Sequence, residues 1–372
     1  MKRALLAVAA LLALAAVPRA ARAPRTDADG WQLAVPPWTF RFPADHASHP
    51  RFRTEWWYYT GHLAAPGRAF GYEATFFRVG LPRRREPGTA ASAWAAHDVV
   101  FLHLALTDET RGRFRSHEDA RRVALGLAGA DSTGYRVWLG DASARLAADS
   151  LTHRVAAAAP GFALDLALVP RKPPAVHGAG GVSQKSAGVG EASHYYSLTR
   201  LATTGRVVVD GDTLAVSGES WMDHEFASNT LARTHAGWDW FSVQLDDGRE
   251  LMLYQLRLAA GGIEPLSHGT LVAADGTARP LALADFRVRA TGRWRSPRTG
   301  ATYPAGWTLE VPAEQLTLTL APTVADQELE ARRMGGVVYW EGSVRVRGAA
   351  RGRPVAGRGY VELTGYGGRA PF

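Results

Sequence analysis

The chain has 372 residues, enough for two domains with a core each, and 46% hydrophobic and 21% charged residues indicate a globular protein, neither disordered nor fibrous. It has no cysteine, which excludes disulfides, a lipobox and Cys-ligated zinc. The formal charge of +8 falls to +4 once Lys2, Arg3, Arg19 and Arg22, all before Pro24, are set aside; no basic stripe carries stacking aromatics, so nucleic acid is not an expected partner.

Lys2 and Arg3 precede an apolar run, Ala4 to Val17, too short to span a bilayer, and Ala21-Arg22-Ala23 offers a cleavage site. Residues 1–23 therefore read as an export signal with a periplasmic or secreted destination. Pro24 is a poor residue after the cut, so a retained anchor is the alternative.

The aromatic lead-in Trp31 to Phe42 is followed by RTEWWYYTGHL, Arg53 to Leu63. Alternation places Glu55, Trp57 and Tyr59 on one face and Trp56, Tyr58 and His62 on the other, so this strand is covered on both sides or faces a ligand on one. Pro66-Gly67 turns the chain into AFGYEATFFRV, where Phe70, Tyr72 and Phe76 oppose Glu73 and Phe77. Arg83-Arg84-Arg85 reads as a solvated hairpin tip, with contact to anionic lipid headgroups as the alternative.

His97 to Thr107 is a further strand; His97 and His103 share a face but stand too far apart to chelate one ion, so no metal or cofactor is expected. Short alternating runs then continue to Val169 in the manner of an antiparallel meander or barrel. The best candidates for short helices are Ser116–Arg122 and Asp326–Arg332.

Arg171 to Ser193 is a long loop whose Gly and Pro content rules out regular structure, of the kind that serves as a lid or binding loop. Gln184 before Lys185 rules out a phosphate loop there. Gly205 to Gly211 reads as a seam, dividing the chain into residues 30–205 and 206–372, two β-rich halves in tandem.

The most chemically loaded stretch is Gly218 to Leu256. Glu219, Asp223, His224 and Glu225 are caged by Trp221 and Phe226. From Trp238 onward, Trp238, Trp240, Ser242 and Gln244 point one way and Asp239, Phe241, Val243 and Leu245 the other, so Asp239 lies among apolar groups. A carboxyl in that setting loses hydration, and its neutral form gains. Taken singly, each of these residues is also explained as a buried structural hydrogen bond.

RTEWWYYTGHL with GYEATFFR, GGVSQKS before HYYSLTR, GESWMDHEFASN, GWDWFSVQLDDGRELMLYQLR, and YWEGSVRV with RGYVELTGY together resemble the AttH-like and carotenoid 1,2-hydratase superfamily, which includes fungal Diels–Alderases that form decalin rings. The resemblance runs from about Pro50 to Gly367. It implies an all-β fold of two tandem lipocalin-like antiparallel β-barrels with few short helices, and ligand chemistry within or between them. The export signal sets the chain nearer the secreted AttH-like branch than the carotenoid enzymes.

Hydrating an isoprenoid double bond needs an acid in a dry pocket, aromatic faces for the cation and a held water. Asp223 or Asp239 would donate the proton and His224 would orient a carboxyl or the water. Trp221, Trp238 and Trp240 would shape a pocket that also draws on Trp57, Tyr59, Glu225 and Tyr254. The alternative is a carrier for an apolar lipid or isoprenoid with no chemistry. Convergence of Asp223, His224 and Asp239 on one cavity favours chemistry; separate, fully bonded positions favour structure. A serine hydrolase lacks its G-x-S-x-G elbow here, and the carboxylates Asp223, Glu225 and Asp239 have no sugar groove to accompany them.

Overall fold

In the computed structural model the described residues are 25–81, 97–229, 231 and 234–368. Residues 1–23, read above as an export signal, and Arg83–Arg85, read as a hairpin tip, lie outside them. The described residues form almost wholly antiparallel β-strands, with three single turns of 3-10 helix among them at Ala44–His46, Leu283–Asp285 and Pro312–Glu314.

The first sheet contains β1 (Thr54–Ala65), β2 (Arg68–Gly80), β3 (Asp98–Asp108), β4 (Arg113–Arg122), β5 (Ala128–Ala130), β6 (Arg136–Leu139), β7 (Ala142–Leu146), β8 (His153–Ala159), β9 (Phe162–Pro170), β10 (Ala175–Val176), β11 (Ser183–Gln184), β12 (Ala192–Val209) and β13 (Asp212–Asn229). The strand order is β4-β3-β2-β1-β13-β12-β9-β8-β7-β6-β5, with β10 and β11 added along β12. The sheet curls until its ends nearly meet: Gly140, after β6, lies against the guanidinium of Arg121 on β4. One core fills this barrel, drawing Trp57, Tyr59, Phe70, Tyr72 and Phe76 from its first strands and Leu164, Leu166 and Leu168 from β9. The alternation of β1 and β2 is therefore as read, with Glu55, Trp57 and Tyr59 directed inward.

The second sheet holds β14 (His235–Leu245), β15 (Glu250–Leu258), β16 (His268–Val272), β17 (Ala278–Ala282) and β18 (Arg287–Ala290). A small separate hairpin, β19 (Arg293–Arg295) and β20 (Thr302–Pro304), follows. The second sheet resumes with β21 (Trp307–Val311), β22 (Leu316–Pro322), β23 (Glu328–Ala331), β24 (Val337–Ala350) and β25 (Arg353–Thr364). Its order is β17-β16-β15-β14-β25-β24-β22-β21-β18, with β23 beside β24, around a core centred on Phe241, Trp307 and Trp340.

Three expectations are corrected. The seam at Gly205–Gly211 is a hairpin: Val209 pairs with Asp212, and Asp210 and Gly211 both have positive φ, 57° and 86°. That is the two-residue turn that Asp-Gly favours, because its twist matches the flanking strands. β13 then pairs along β1, so the sheets divide after Asn229 and not at residue 205. Ser116–Arg122 falls in β4, paired along β3, and Asp326–Arg332 contains β23. β4 is a charge-rich edge strand; such strands resist edge-to-edge pairing, and their polar sequence imitates a solvated helix. Finally, the long loop is tied to β12 through β10 and β11 rather than being free of regular structure.

The two sheets pack closely, and the contact depends on missing side chains. A Cβ on Gly71 of β2 would lie 2.6 Å from the Cβ of Ser343 on β24 and 2.7 Å from the hydroxyl of Tyr360 on β25. Polar ties cross the same boundary. Gln244 Nε2 donates to the carbonyls of Thr199 (2.8 Å) and Ser220 (3.0 Å), and the buried Glu250 is bound by Lys172 (2.7 Å) and Arg200 (2.6 Å).

Candidate active-site cleft

Alternation along six strands forms a cleft between the sheets. β1 and β2 turn Trp57, Tyr59 and Phe76 into the barrel, so Trp56, Tyr58, Thr75 and Phe77 face outward toward the second sheet. β13 likewise sends Met222 and His224 inward, and Asp223 and Glu225 outward. Across the gap, β14 presents Trp238 and Trp240, β15 presents Tyr254 and Leu256, and β25 presents Glu362. The cleft encloses about 880 Å³ including its open mouth. Its walls are mainly aromatic, with a few carboxyls set into them.

Asp223 is the most completely held of these carboxyls. Its Oδ1 accepts hydrogen bonds from Trp221 Nε1 at 2.6 Å and from Ser197 Oγ, and its Oδ2 accepts one from Tyr195 OH at 2.6 Å. Tyr195 in turn accepts from Trp240 Nε1 at 3.0 Å. Burial pushes the Asp223 carboxyl up to about 7, against the pull of these three donors. A neutral carboxyl there keeps a lone-pair direction on Oδ2 for a proton.

Glu362 is a second such carboxyl. It accepts from Trp238 Nε1 at 2.7 Å, and burial raises it to about 7. Behind it, Glu341 stands opposite Glu362 in the β24–β25 register and accepts from Tyr58 OH at 2.8 Å. Burial lifts Glu341 well above the usual carboxylate range and Glu73 to about 8. The loop contributes Lys185, whose ammonium lies 3.1 Å from Glu225 and 4.3 Å from the centre of the Tyr254 ring. Burial alone would lower this lysine, but Glu225 and Tyr254 together outweigh it and the group is held above its ordinary value.

The residues singled out in the sequence divide into three groups. Asp223, Glu225, Trp238, Trp240 and Tyr254 meet in the cleft, and Trp221 supports it from behind through its bond to Asp223. Trp57 and Tyr59 lie in the first barrel's core instead. His224 also faces that interior: its Nε2 is 2.9 Å from Glu55 Oε1, its ring is stacked on Trp57, and with Glu55 and His49 it brings three ligand-type atoms within 4.8 Å. Asp239 turns toward the second core, where Arg257 Nε and Tyr366 OH reach it at 2.9 and 3.0 Å. Burial raises Asp239 as expected, but Arg257 opposes the shift, so the residue is a paired framework carboxyl. Asp223, His224 and Asp239 therefore do not converge on one cavity.

Sequence reasoning did not assign Tyr58, Lys185, Tyr195 and Glu362 to the site. Each lies in a stretch already singled out for its resemblance, so the signal was present in position. Which face of each strand meets the second sheet was missing. His103 also borders the cleft rather than a barrel interior, bonded to Tyr339 OH at 2.6 Å across the sheet boundary.

A family model described as AttH-like matches residues 33–366. A crystal structure of a protein described as AttH, from Nitrosomonas europaea, is 34% identical and covers 90% of this chain and 99% of its own, with a TM-score of 0.80. Kievitone hydratase from Nectria haematococca is similar in fold at 14% identity, covering 92% and 95% of the two chains, with a TM-score of 0.68. CghA is similar at 17% identity, covering 86% and 90%, with a TM-score of 0.53. No curated protein matches the sequence. With nearly the whole described chain matched by one family model and by a relative that is 34% identical over 90% of this chain, the protein belongs to the AttH-like family.

Proposed function

We propose that the cleft between the sheets binds an apolar, isoprenoid- or lipid-like molecule and that Asp223 is a general acid toward a carbon–carbon double bond, hydrating or rearranging it. The observation that carries this reading is a buried carboxyl, raised to about 7, set among aromatic rings in an open cleft. Proton transfer from Asp223 to the alkene creates a carbocation, which the faces of Tyr58, Trp238 and Trp240 would stabilise by about 0.5–2 kcal/mol per ring. Water then adds to the cation and returns a proton to the Asp223 carboxylate, or that carboxylate takes a proton from a carbon beside the cation. A solved structure of similar fold bears the name kievitone hydratase, which agrees with such chemistry without fixing the substrate.

The carrier reading has its own support: His224 and Asp239 are bonded elsewhere, and three donors already satisfy Asp223. Incubating purified protein with squalene and shorter isoprenoid alkenes, followed by mass analysis, separates the two readings. Gain of one water or a changed carbon skeleton with wild type, lost in Asp223→Asn, supports the enzyme. A ligand that binds and is recovered unchanged supports the carrier. We further propose that the chain is exported, which N-terminal sequencing of protein from cell fractions tests; cytoplasmic protein beginning at Met1 would refute it.

A further inference from the structure

On the face of β13 turned away from the cleft, three side chains from separate segments converge. Glu55 opens β1, His224 stands opposite Trp57 in the β1–β13 register, and His49 belongs to the segment between the Ala44–His46 turn and β1. Oε1 of Glu55 is 2.9 Å from His49 Nδ1 and 2.9 Å from His224 Nε2. Asp45 reaches both remaining ring nitrogens: His49 Nε2 lies 3.1 Å from Asp45 Oδ1, and His224 Nδ1 lies 3.0 Å from the Asp45 carbonyl and 3.1 Å from Tyr196 OH. Metal-binding imidazoles are held in this way, one nitrogen toward the ion and the other donating to a carboxylate or carbonyl that fixes ring and tautomer.

The rings are also clamped. Phe226 stacks on His49 at 3.6 Å with 9° between planes, and Trp57 stacks on His224 at 4.9 Å with 20°. Glu55 spends its other oxygen on Ser48 and on Arg78, which pairs in turn with Asp98. With both imidazoles neutral, as ligation requires, the three carboxylates Asp45, Glu55 and Asp98 against the single guanidinium of Arg78 leave two negative charges, the charge a divalent cation cancels. The side chains of His49 and Asp45 keep 13% and 15% exposure, so solvent reaches the cluster.

We infer that His49, Glu55 and His224 form a binding site for a first-row divalent cation, zinc above all, which ties the segment before β1 to β1 and β13. Two imidazoles and one carboxylate suit zinc and its neighbours better than magnesium or calcium. The ion takes the place of the two ring protons now shared with Glu55 Oε1, and water completes its shell. Asp45 is a positioning residue. The site shares no residue with the cleft and does not depend on the proposed reaction.

The test uses the full chain, stripped with a chelator and titrated with zinc by calorimetry, with cobalt absorbance as an optical readout. The expected result is one equivalent bound with micromolar or tighter affinity and a visible cobalt band. Asp45→Asn, which keeps all three ligands, should weaken binding about 10–100-fold, and His49→Gln should weaken it further and remove the cobalt band. His224→Gln alters a packed core and can fail to fold, so the partly exposed His49 is the deciding variant. No binding by wild type at these concentrations, or an affinity unchanged in both His49→Gln and Asp45→Asn, overturns the site and leaves a hydrogen-bonded ion cluster in its place.

Discussion

At the scale of single residues, Asp223 and Asp239 show how one residue type takes opposite roles. Both are buried and both lie within two residues of a tryptophan in sequence, but only Asp239 has a guanidinium partner. If Asp223 is the acid, its protonated form is the active one. Activity should then fall as pH rises through about 7, seen in a pH–rate profile. Tyr195→Phe removes a hydrogen bond that holds Asp223 down, so the falling limb should move to higher pH; an unmoved limb would assign the titration to another group. Asp223→Asn should lower the rate about 10²–10⁴-fold while the protein still folds. Asp239→Asn is expected to do the reverse. It leaves Arg257 without its charge partner, destabilises by about 1–3 kcal/mol in chemical denaturation and spares ligand binding.

Among the elements, close contact between the sheets rests on β2 against β24 and β25. Gly71→Ala forces a methyl onto Ser343 and Tyr360, and overpacking of that kind costs about 1–3 kcal/mol, measurable as a lower denaturation midpoint. The carboxyls gathered between these strands couple packing to pH. Glu362 and Glu73 have folded values raised to about 7 and about 8, so the folded protein holds protons that the unfolded chain has already released. Their contribution is therefore complete at or below the ordinary carboxylate range and is lost as pH rises toward 7 to 8. Glu362→Gln should lose less stability than wild type between about pH 5 and pH 8, and equal losses would deny Glu362 that proton.

For the whole molecule, the decisive feature is that β13 completes the first sheet before the chain enters the second. Fragments divided after Leu231 keep each sheet intact and should reassociate into a soluble complex when co-expressed. Fragments divided at 205/206 separate most of β12 from its partner β13 and pull β13 off β1, so they should not; size-exclusion chromatography distinguishes the two outcomes. The cleft exists only when both sheets are present, because its acids and rings come from each.

Much of this was legible in the chain itself. The two-residue periodicity of β1, β2 and β14 assigned side chains to faces correctly, since a pleated strand permits nothing else. The motifs from Trp56 to Glu362 marked almost every residue that lines the cleft. Periodicity is silent, however, on which face meets which partner. In β1 both faces are aromatic, so Trp57 and Tyr59 were as plausible in a pocket as Trp56 and Tyr58. The packing of β1 and β13 decided it: alternation along β13 already set Asp223 and His224 on opposite faces, and the tertiary structure decided that Asp223 meets the cleft and His224 the barrel interior. Arg257, Tyr366 and the His49–Glu55–His224 group were beyond local reading for the same reason: each joins residues distant in sequence, and only tertiary packing brings those partners together.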